Sequence, residues 1–305
     1  MRSTYLSALY NLAKEDARVV SLVADNGVIV YDNFMNDFPD RFFNFGISES
    51  HMISAASGMA SCGLIPYVYT IGAFLAYRAY EFIRDDVCYQ NQNVKIVGIG
   101  SGLTYSTLGA SHHTTEDIAL LRSIPNLTVF SPSCRQEVSW VMEQSYKIQG
   151  PVYIRLGNNS ENYYDEQYEF KFGIPSQINA GDKYAIFVTG SITSIAVEIA
   201  KSFREEGIKI AVYSVHTLKP MNEQAIVEIL GSYQKIVVLD EHNIIGGLYS
   251  ALAEIMVMKE VSRPVLNIGL DDKFATGYGT ITEVRRANGL DYDSVYTKIR
   301  EFLLR

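Results

Sequence analysis

Short apolar runs alternate with longer helical stretches from one end of the chain to the other. In the first half the runs are Val19–Val23, Phe42–Phe45, Ile65–Tyr69, Val94–Ile99, Leu127–Phe130 and Val152–Arg155. Most are continuous rather than alternating, which is the pattern of strands buried on both faces of a parallel sheet. The segments between them predict helices over Ser48–Ser61, Phe74–Gln90, Thr115–Ser123 and Arg135–Ile148. A polar, tyrosine-rich stretch from Asn158 to Asp182 follows, with no clear period, and reads as a linker. Beyond it the alternation restarts, with strands expected at Tyr184–Val188, Ile208–Ser214, Lys235–Leu239 and Val265–Ile268. Helices are expected at Ser191–Glu206, Glu223–Leu230 and Gly246–Lys259. Strands alternating with helices define an α/β fold with two parallel-type sheet domains. Their expected bounds are 1–160 and 183–305, with 161–182 as the linker.

Composition narrows the class. A chain of 305 residues has the length of two ordinary domains, and 48% hydrophobic with 20% charged residues suits a soluble globular protein. The formal net charge of −8 argues against nucleic acid as a partner, because a phosphate backbone needs a basic face. Three cysteines, Cys62, Cys88 and Cys134, are an odd number without CxxC spacing. That excludes a fully paired disulfide framework and gives no zinc signature. In the N-terminal MRSTYLSALYNLAKED, Asn11, Lys14 and Glu15 come too early for a secretory apolar core, so the stretch reads as an amphipathic helix. No run approaches the roughly 18 apolar residues of a membrane span. The expectation is a cytoplasmic protein with neither membrane nor nucleic-acid partners.

Three segments carry candidate chemistry. Gly98-Ile-Gly100-Ser-Gly102-Leu103 approaches the dinucleotide fingerprint GxGxxG, but Leu103 stands where the third glycine belongs. A glycine-lined exit from a strand is the better reading. Ser111-His112-His113-Thr114-Thr115-Glu116-Asp117 holds His113 and Glu116 at a spacing that can put two ligands on one helical face, without the further ligands that zinc requires. Adjacent histidines suit proton exchange near neutral pH instead. Glu49 follows the strand Phe42–Phe45 and opens a helix of small residues. The helix dipole alone favours a carboxylate there, yet the ends of such strands are also where open α/β sheets bind ligands. No G-x-S-x-G elbow and no P-loop occurs, so serine-hydrolase and NTPase chemistry have no anchor.

Six segments in order resemble the transketolase-type, thiamine-diphosphate-dependent enzymes. They are RFFNFGISESHMISAASGMASCG, IGAFLAYRAYEFIRDDV, GASHHTTEDIALLRSIPNLTVFSPS, GPVYIRLGNN, AGDKYAIFVTGSITSIAVEIA and LDEHNIIGGLYSALAEI. The resemblance covers nearly the whole chain and implies a pyrimidine-binding domain followed by a transketolase C-terminal domain. It implies that Glu49 hydrogen-bonds the aminopyrimidine ring of the cofactor and stabilises its imino tautomer. Phe74 matches an aromatic that packs on that ring. Tyr77, one turn on, either extends the wall or belongs to the core. His112 matches a histidine beside the reacting carbon. His113 stands where the family often has glutamine.

The departures concern substrate. Leu108 occupies the position of an aspartate that contacts a donor-sugar hydroxyl in transketolases proper. A family histidine for sugar phosphate falls at Gly100, and a serine with a similar role falls near Ile29. Arg155 remains as an anion clamp, since a guanidinium holds carboxylate or phosphate bidentately. The expected donor or acceptor is therefore unlike the standard pentose phosphates. The family holds the cofactor diphosphate and Mg²⁺ through a GDG…N segment, which does not occur here. The resemblance then implies the small subunit of a split enzyme, an α2β2 heterotetramer whose N-terminal, diphosphate-binding subunit supplies the Mg²⁺ ligands. The expected reaction moves a two-carbon ketol unit between small-molecule sugars. The β subunit of a 2-oxo acid dehydrogenase and a non-catalytic subunit that keeps the fold stay as alternatives. Leu108→Asp should shift donor preference toward hydroxylated ketoses in a donor-competition assay; an identical donor profile would refute this reading of position 108.

Overall fold

The structure, a computed structural model, describes residues 1–26 and 28–305, and of Val28 and Ile29 only the backbone. The Ile29 side chain, where the resemblance puts a serine, therefore lies outside the described residues. Two sheets form, flanked by helices. The first contains β1 (Val19–Val23), β2 (Phe42–Asn44), β3 (Ile65–Ile71), β4 (Lys95–Ile99), β5 (Thr128–Phe130) and β6 (Val152–Leu156). These run parallel in the order β5-β6-β4-β3-β1-β2. Every residue of β1, β3, β4 and β6 is buried, as continuous apolar runs covered on both faces require.

The second sheet holds β7 (Ser176–Asn179), β8 (Tyr184–Val188) and β9 (Ile210–Ser214), which precede β10 (Thr217–Lys219) in the chain, and then β11 (Lys235–Asn243) and β12 (Val265–Leu270). Its order is β12-β11-β8-β9-β7, parallel except for the antiparallel edge strand β7. The strand β10 leaves this domain and pairs antiparallel with β5, as the edge of the first sheet. The two domains are thus sewn together by backbone.

The segment expected as a featureless linker is a packed strap. Ser176–Asn179 within it is a strand, and Tyr164, Tyr168 and Phe170 pack tilted or edge-to-face on one another with ring centroids 4.5–5.0 Å apart. Phe170 in turn packs on Trp140 and on the buried His216. Aromatic packing of this kind has no period for a sequence pattern to show. Past residue 271 the chain adds the helices Ile281–Ala287 and Tyr292–Leu304, which the apolar alternation does not reveal. The first opens on a capping box in which Thr280 and Glu283 satisfy each other's backbone N–H groups, a signal present in the sequence. The helix predicted over Phe74–Gln90 is two π-helical turns, Phe74–Arg78 and Ile83–Tyr89, joined by the short α-turn Tyr80–Phe82.

His216 sits where β9 passes into β10, with its ring nitrogens 2.8 Å from Thr217 Oγ1 and 3.1 Å from Ser176 Oγ. Burial pushes its imidazole below the ordinary histidine range, against a weaker opposing pull from Glu137. The unfolded chain therefore takes up a proton near pH 6.5 that the folded chain resists, so stability is full above about pH 6.5 and falls below it. His216→Asn should flatten the pH dependence of urea unfolding between about pH 7 and 5 by up to ~1.4 kcal/mol per pH unit. An unaltered slope would show that His216 does not carry it.

Candidate active site

The C-terminal ends of β1, β2, β3, β4 and β6 share one edge of the first sheet, and each predicted site residue leaves the sheet there except Arg155. This is the edge at which open α/β sheets bind ligands. After β2 the chain turns through Gly46 and enters the helix Glu49–Ser61. Met52, Ile53 and Ala56 of that helix are core residues, which fixes the position of its first turn. Glu49 is only 1% exposed, and its Oε2 accepts a hydrogen bond from Arg78 Nη1 at 2.8 Å. The helix N-terminus favours its negative charge.

After β3 the π-turn Phe74–Arg78 projects Phe74, Tyr77 and Arg78 from the same strand end. Such turns widen the helix and often mark functional sites. The Arg78 guanidinium lies 5.1 Å from the Phe74 ring centroid, so one flat cation touches both the aromatic face and the Glu49 carboxylate. Tyr77 points elsewhere. Its Oη donates to Glu116 Oε2 at 2.5 Å and accepts from the backbone N–H groups of Thr115 and Glu116. Burial, then the Asp117 and Glu116 carboxylates, push this phenol upward, so it stays protonated. Tyr77 thus ties the π-turn to the histidine loop.

That loop leaves β4 at Gly100 and returns at Thr114, where Gly102 and Thr114 exchange backbone hydrogen bonds of 2.9 and 3.0 Å. Gly102 has φ +62°, and a Cβ there would lie 2.2 Å from Glu241 Oε2. Gly102 therefore serves close approach of the second domain, whereas Gly98 and Gly100 leave room for the Tyr153 and Tyr105 side chains. His112 is half-buried, with its ring edge-on to Phe74 at 5.2 Å and Nδ1 3.0 Å from Ser111 Oγ. His113 turns inward, 2% exposed, and neither ring nitrogen has a hydrogen-bond partner among the described residues. Burial lowers its pKa, opposed by Glu241 and Glu116, so the imidazole is neutral at pH 7. Leu108 is half-exposed on the same loop. Glu49, Phe74 and His112 come together; Tyr77 and His113 face away from that group.

Arg155 is not an anion clamp. It is 1% exposed on β6, and its Nε donates to both Asp117 oxygens at 3.1 and 2.9 Å. Its Nη2 donates to the carbonyls of Thr114 and of Glu241 on β11. The guanidinium is committed on these sides within a closed domain boundary, with no face open to a solute. Tyr153 Oη completes the cluster by donating to Asp117 Oδ2 at 2.8 Å. Beside it, Glu241 Oε1 accepts from Arg285 Nε at 2.6 Å while Oε2 has no partner among the described residues. Burial raises the pKa of the adjacent Asp240, against His242 and Arg155. Sequence reasoning singles out none of Arg78, Asp117, Glu241 and Arg285. Each is an ordinary charged residue on its own element, and only the partner brought from a distant segment gives it a role. Among the described residues no three His, Cys, Asp or Glu side chains converge as a metal site, and no helix is long and apolar enough to cross a membrane.

The first sheet thus carries a buried glutamate, an aromatic ring and a histidine on adjoining strand ends, beside a closed boundary with the second domain. Residues 1–161 match the transketolase pyrimidine-binding domain, and residues 176–295 match the transketolase C-terminal domain. The chain belongs to the transketolase family and has the make-up of its small, C-terminal subunit. It is 34% identical over 305 residues to a putative transketolase C-terminal section of Methanocaldococcus jannaschii, covering 99% of this chain and 95% of that protein. It is 31% identical to an apulose-4-phosphate transketolase subunit of Actinobacillus succinogenes, over 92% of this chain and 91% of the relative. Among solved structures, a split gene transketolase described as an inactive beta4 tetramer superposes with a TM-score of 0.88 at 33% identity, covering 99% of this chain and 97% of that one.

Asp117→Ala should strand the Arg155 charge in the interior and lower unfolding free energy by about 3–5 kcal/mol, read from the denaturant midpoint. Replacing both partners together, Asp117→Leu with Arg155→Met, should recover most of that loss. A single variant as stable as the parent would mean that the pair does not hold the boundary.

Proposed function

We propose that this chain is the small subunit of a two-component transketolase that moves a two-carbon ketol unit from a ketose-type donor to an aldehyde. The observation that carries the reading is the buried Glu49 carboxylate beside the Phe74 ring, with His112 at the edge of that ring. The pair fits the aminopyrimidine of thiamine diphosphate, because the planar N–C–N group of Arg78 already spans the Phe74 face and the Glu49 carboxylate. When bound, thiamine diphosphate supplies the nucleophilic carbon that carries the ketol unit from donor to acceptor. Glu49 would hydrogen-bond the pyrimidine ring nitrogen of the bound cofactor, and its burial would strengthen that bond by excluding water. Phe74 fixes the plane of the ring. Ser111 occupies Nδ1 of His112, which leaves Nε2 to donate to, or accept from, the reacting oxygen of the substrate. Leu108 removes a carboxylate from the donor pocket, which favours a sugar other than the standard pentose phosphates.

The diphosphate and its Mg²⁺ belong, in this reading, to an N-terminal partner subunit within an α2β2 heterotetramer. The relative that is one subunit of its transketolase and the β tetramer described as inactive both support a division of labour between chains. Ile47 and Tyr89, strongly exposed near the small-residue helix Glu49–Ser61, suit a contact between chains. The relative's phosphorylated substrate supports a sugar with an anionic end. The acidic balance of the chain suits the cytoplasm. With the partner subunit restored, Glu49→Gln should reduce ketol transfer by about 10² or more while size-exclusion shows the same assembly. Full turnover by this variant would exclude the assigned mechanism.

A further inference from the structure

Two guanidinium–carboxylate pairs lie at or beside the candidate site, and they differ in burial. The side chains of Arg155 and Asp117 are 1% and 0% exposed, so that pair is sealed. In the pair of Arg78 with Glu49 the carboxylate is 1% exposed but the arginine side chain is 53% exposed. A cation open to solvent on one side is held weakly, because water offsets much of the attraction. Only the head group is loose. Arg78 ends the π-turn Phe74–Arg78, and its carbonyl accepts a hydrogen bond of 3.3 Å from Ser50 Oγ in the first turn of the helix Glu49–Ser61. The backbone behind both partners is therefore tied together, and a change of arginine rotamer is enough to part them.

The place that the head group fills is specific. Its Nη1 donates to Glu49 Oε2 at 2.8 Å, and its Cζ stands 5.1 Å from the centroid of the Phe74 ring. A guanidinium and an aminopyrimidine are both flat, and both can offer an N–H to a carboxylate while laying a face on an aromatic ring. One carboxylate oxygen and one ring face do not hold both at once.

We propose that Arg78 is an internal stand-in for the aminopyrimidine ring, seated on Phe74 and Glu49 in the empty subunit, and that it swings out to admit the cofactor. The inference rests on the transketolase reading and adds to it a gate within this chain. Seated, Arg78 keeps the buried Glu49 carboxylate paired, so the empty subunit carries no bare charge in its interior. Swung out, it releases Glu49 Oε2 and the Phe74 face in a single rotation. Apparent affinity for the ring is then reduced to the fraction of chains in which Arg78 is out. Removing Arg78 therefore tightens binding, the opposite of what removing a residue that holds the cofactor does.

The test titrates thiamine diphosphate with Mg²⁺ calorimetrically into the reconstituted two-subunit complex of the parent, Arg78→Ala and Arg78→Lys. Arg78→Ala should tighten binding by about tenfold or more. Arg78→Lys keeps the charge but loses the flat fork, and should tighten binding by a smaller factor. Equal or weaker binding by Arg78→Ala would overturn the proposal. A lysine variant that matches the parent would overturn it too, because charge alone would then account for the gain. A second measurement needs neither turnover, partner nor diphosphate. Millimolar 4-aminopyrimidine should raise the Tm of the Arg78→Ala chain more than that of the parent chain, and the extra rise should vanish when Glu49→Gln is added. The same change in Tm for Arg78→Ala and parent would overturn the stand-in. If neither the parent complex nor its variants bind thiamine diphosphate, the transketolase reading fails, while the aminopyrimidine titration still decides whether Arg78 covers the seat.

Discussion

The ion pair between Arg155 and Asp117 is the interaction on which the arrangement of the rest depends. Asp117 opens the helix Asp117–Arg122 at the end of the histidine loop, and Arg155 lies near the end of β6. Both are almost completely buried, and the guanidinium also holds the carbonyls of Thr114 and Glu241. One charged group therefore fixes the return of the loop, the first helix after it and strand β11 of the second domain. A buried pair is weak evidence for stability gained, because desolvation offsets much of the attraction. Its value here is geometric: misplacing either partner leaves an uncompensated charge, so competing domain packings are strongly disfavoured.

From that anchor the site is assembled in two opposed directions. Outward, the loop presents His112 to the Phe74 ring, and the π-turn after β3 gives Arg78 reach to both Phe74 and Glu49. Inward, His113 and Glu241 place polar atoms in the domain boundary, where low dielectric keeps the imidazole neutral. Adjacent histidines in the sequence thus have unlike surroundings, because His112 sits in a turn closed by its N–H to the Gly109 carbonyl while His113 leads into the bridge at Thr114. The strap of Tyr164, Tyr168 and Phe170 and the exchanged strand β10 make the domain boundary a shared core, in keeping with a site built against it.

Much of the fold is legible in the sequence, for a local reason. Val19–Val23, Ile65–Tyr69, Val94–Ile99 and Val152–Arg155 are continuous apolar runs because both faces of a parallel sheet are covered, and that requirement acts residue by residue. Glu49 at a strand end and the adjacent histidines are likewise visible in the sequence, whereas Phe74 is singled out only by the resemblance to transketolases. The tyrosine-rich strap is not visible, since its aromatics pack on Trp140 and His216 without any period. The terminal helices escape the strand–helix alternation, although Thr280 and Glu283 announce one of them. Arg155 shows the limit most clearly. A guanidinium at a strand end is equally suited to bind a substrate anion or to bind Asp117, and spacing along the chain does not separate the two.

The sequence by itself determined the class of fold and the number of domains, because periodicity, glycine turns and motif order are properties of neighbours along the chain. The tertiary structure alone decided which charges are spent within the protein and which stay available. Arg155 is consumed by the domain boundary, Arg78 bridges Glu49 and Phe74, and Arg2 arrives from the other end of the chain beside Gly100 and Tyr105. Electrostatic partners are chosen by proximity in space and by burial, and neither is written in the order of the residues.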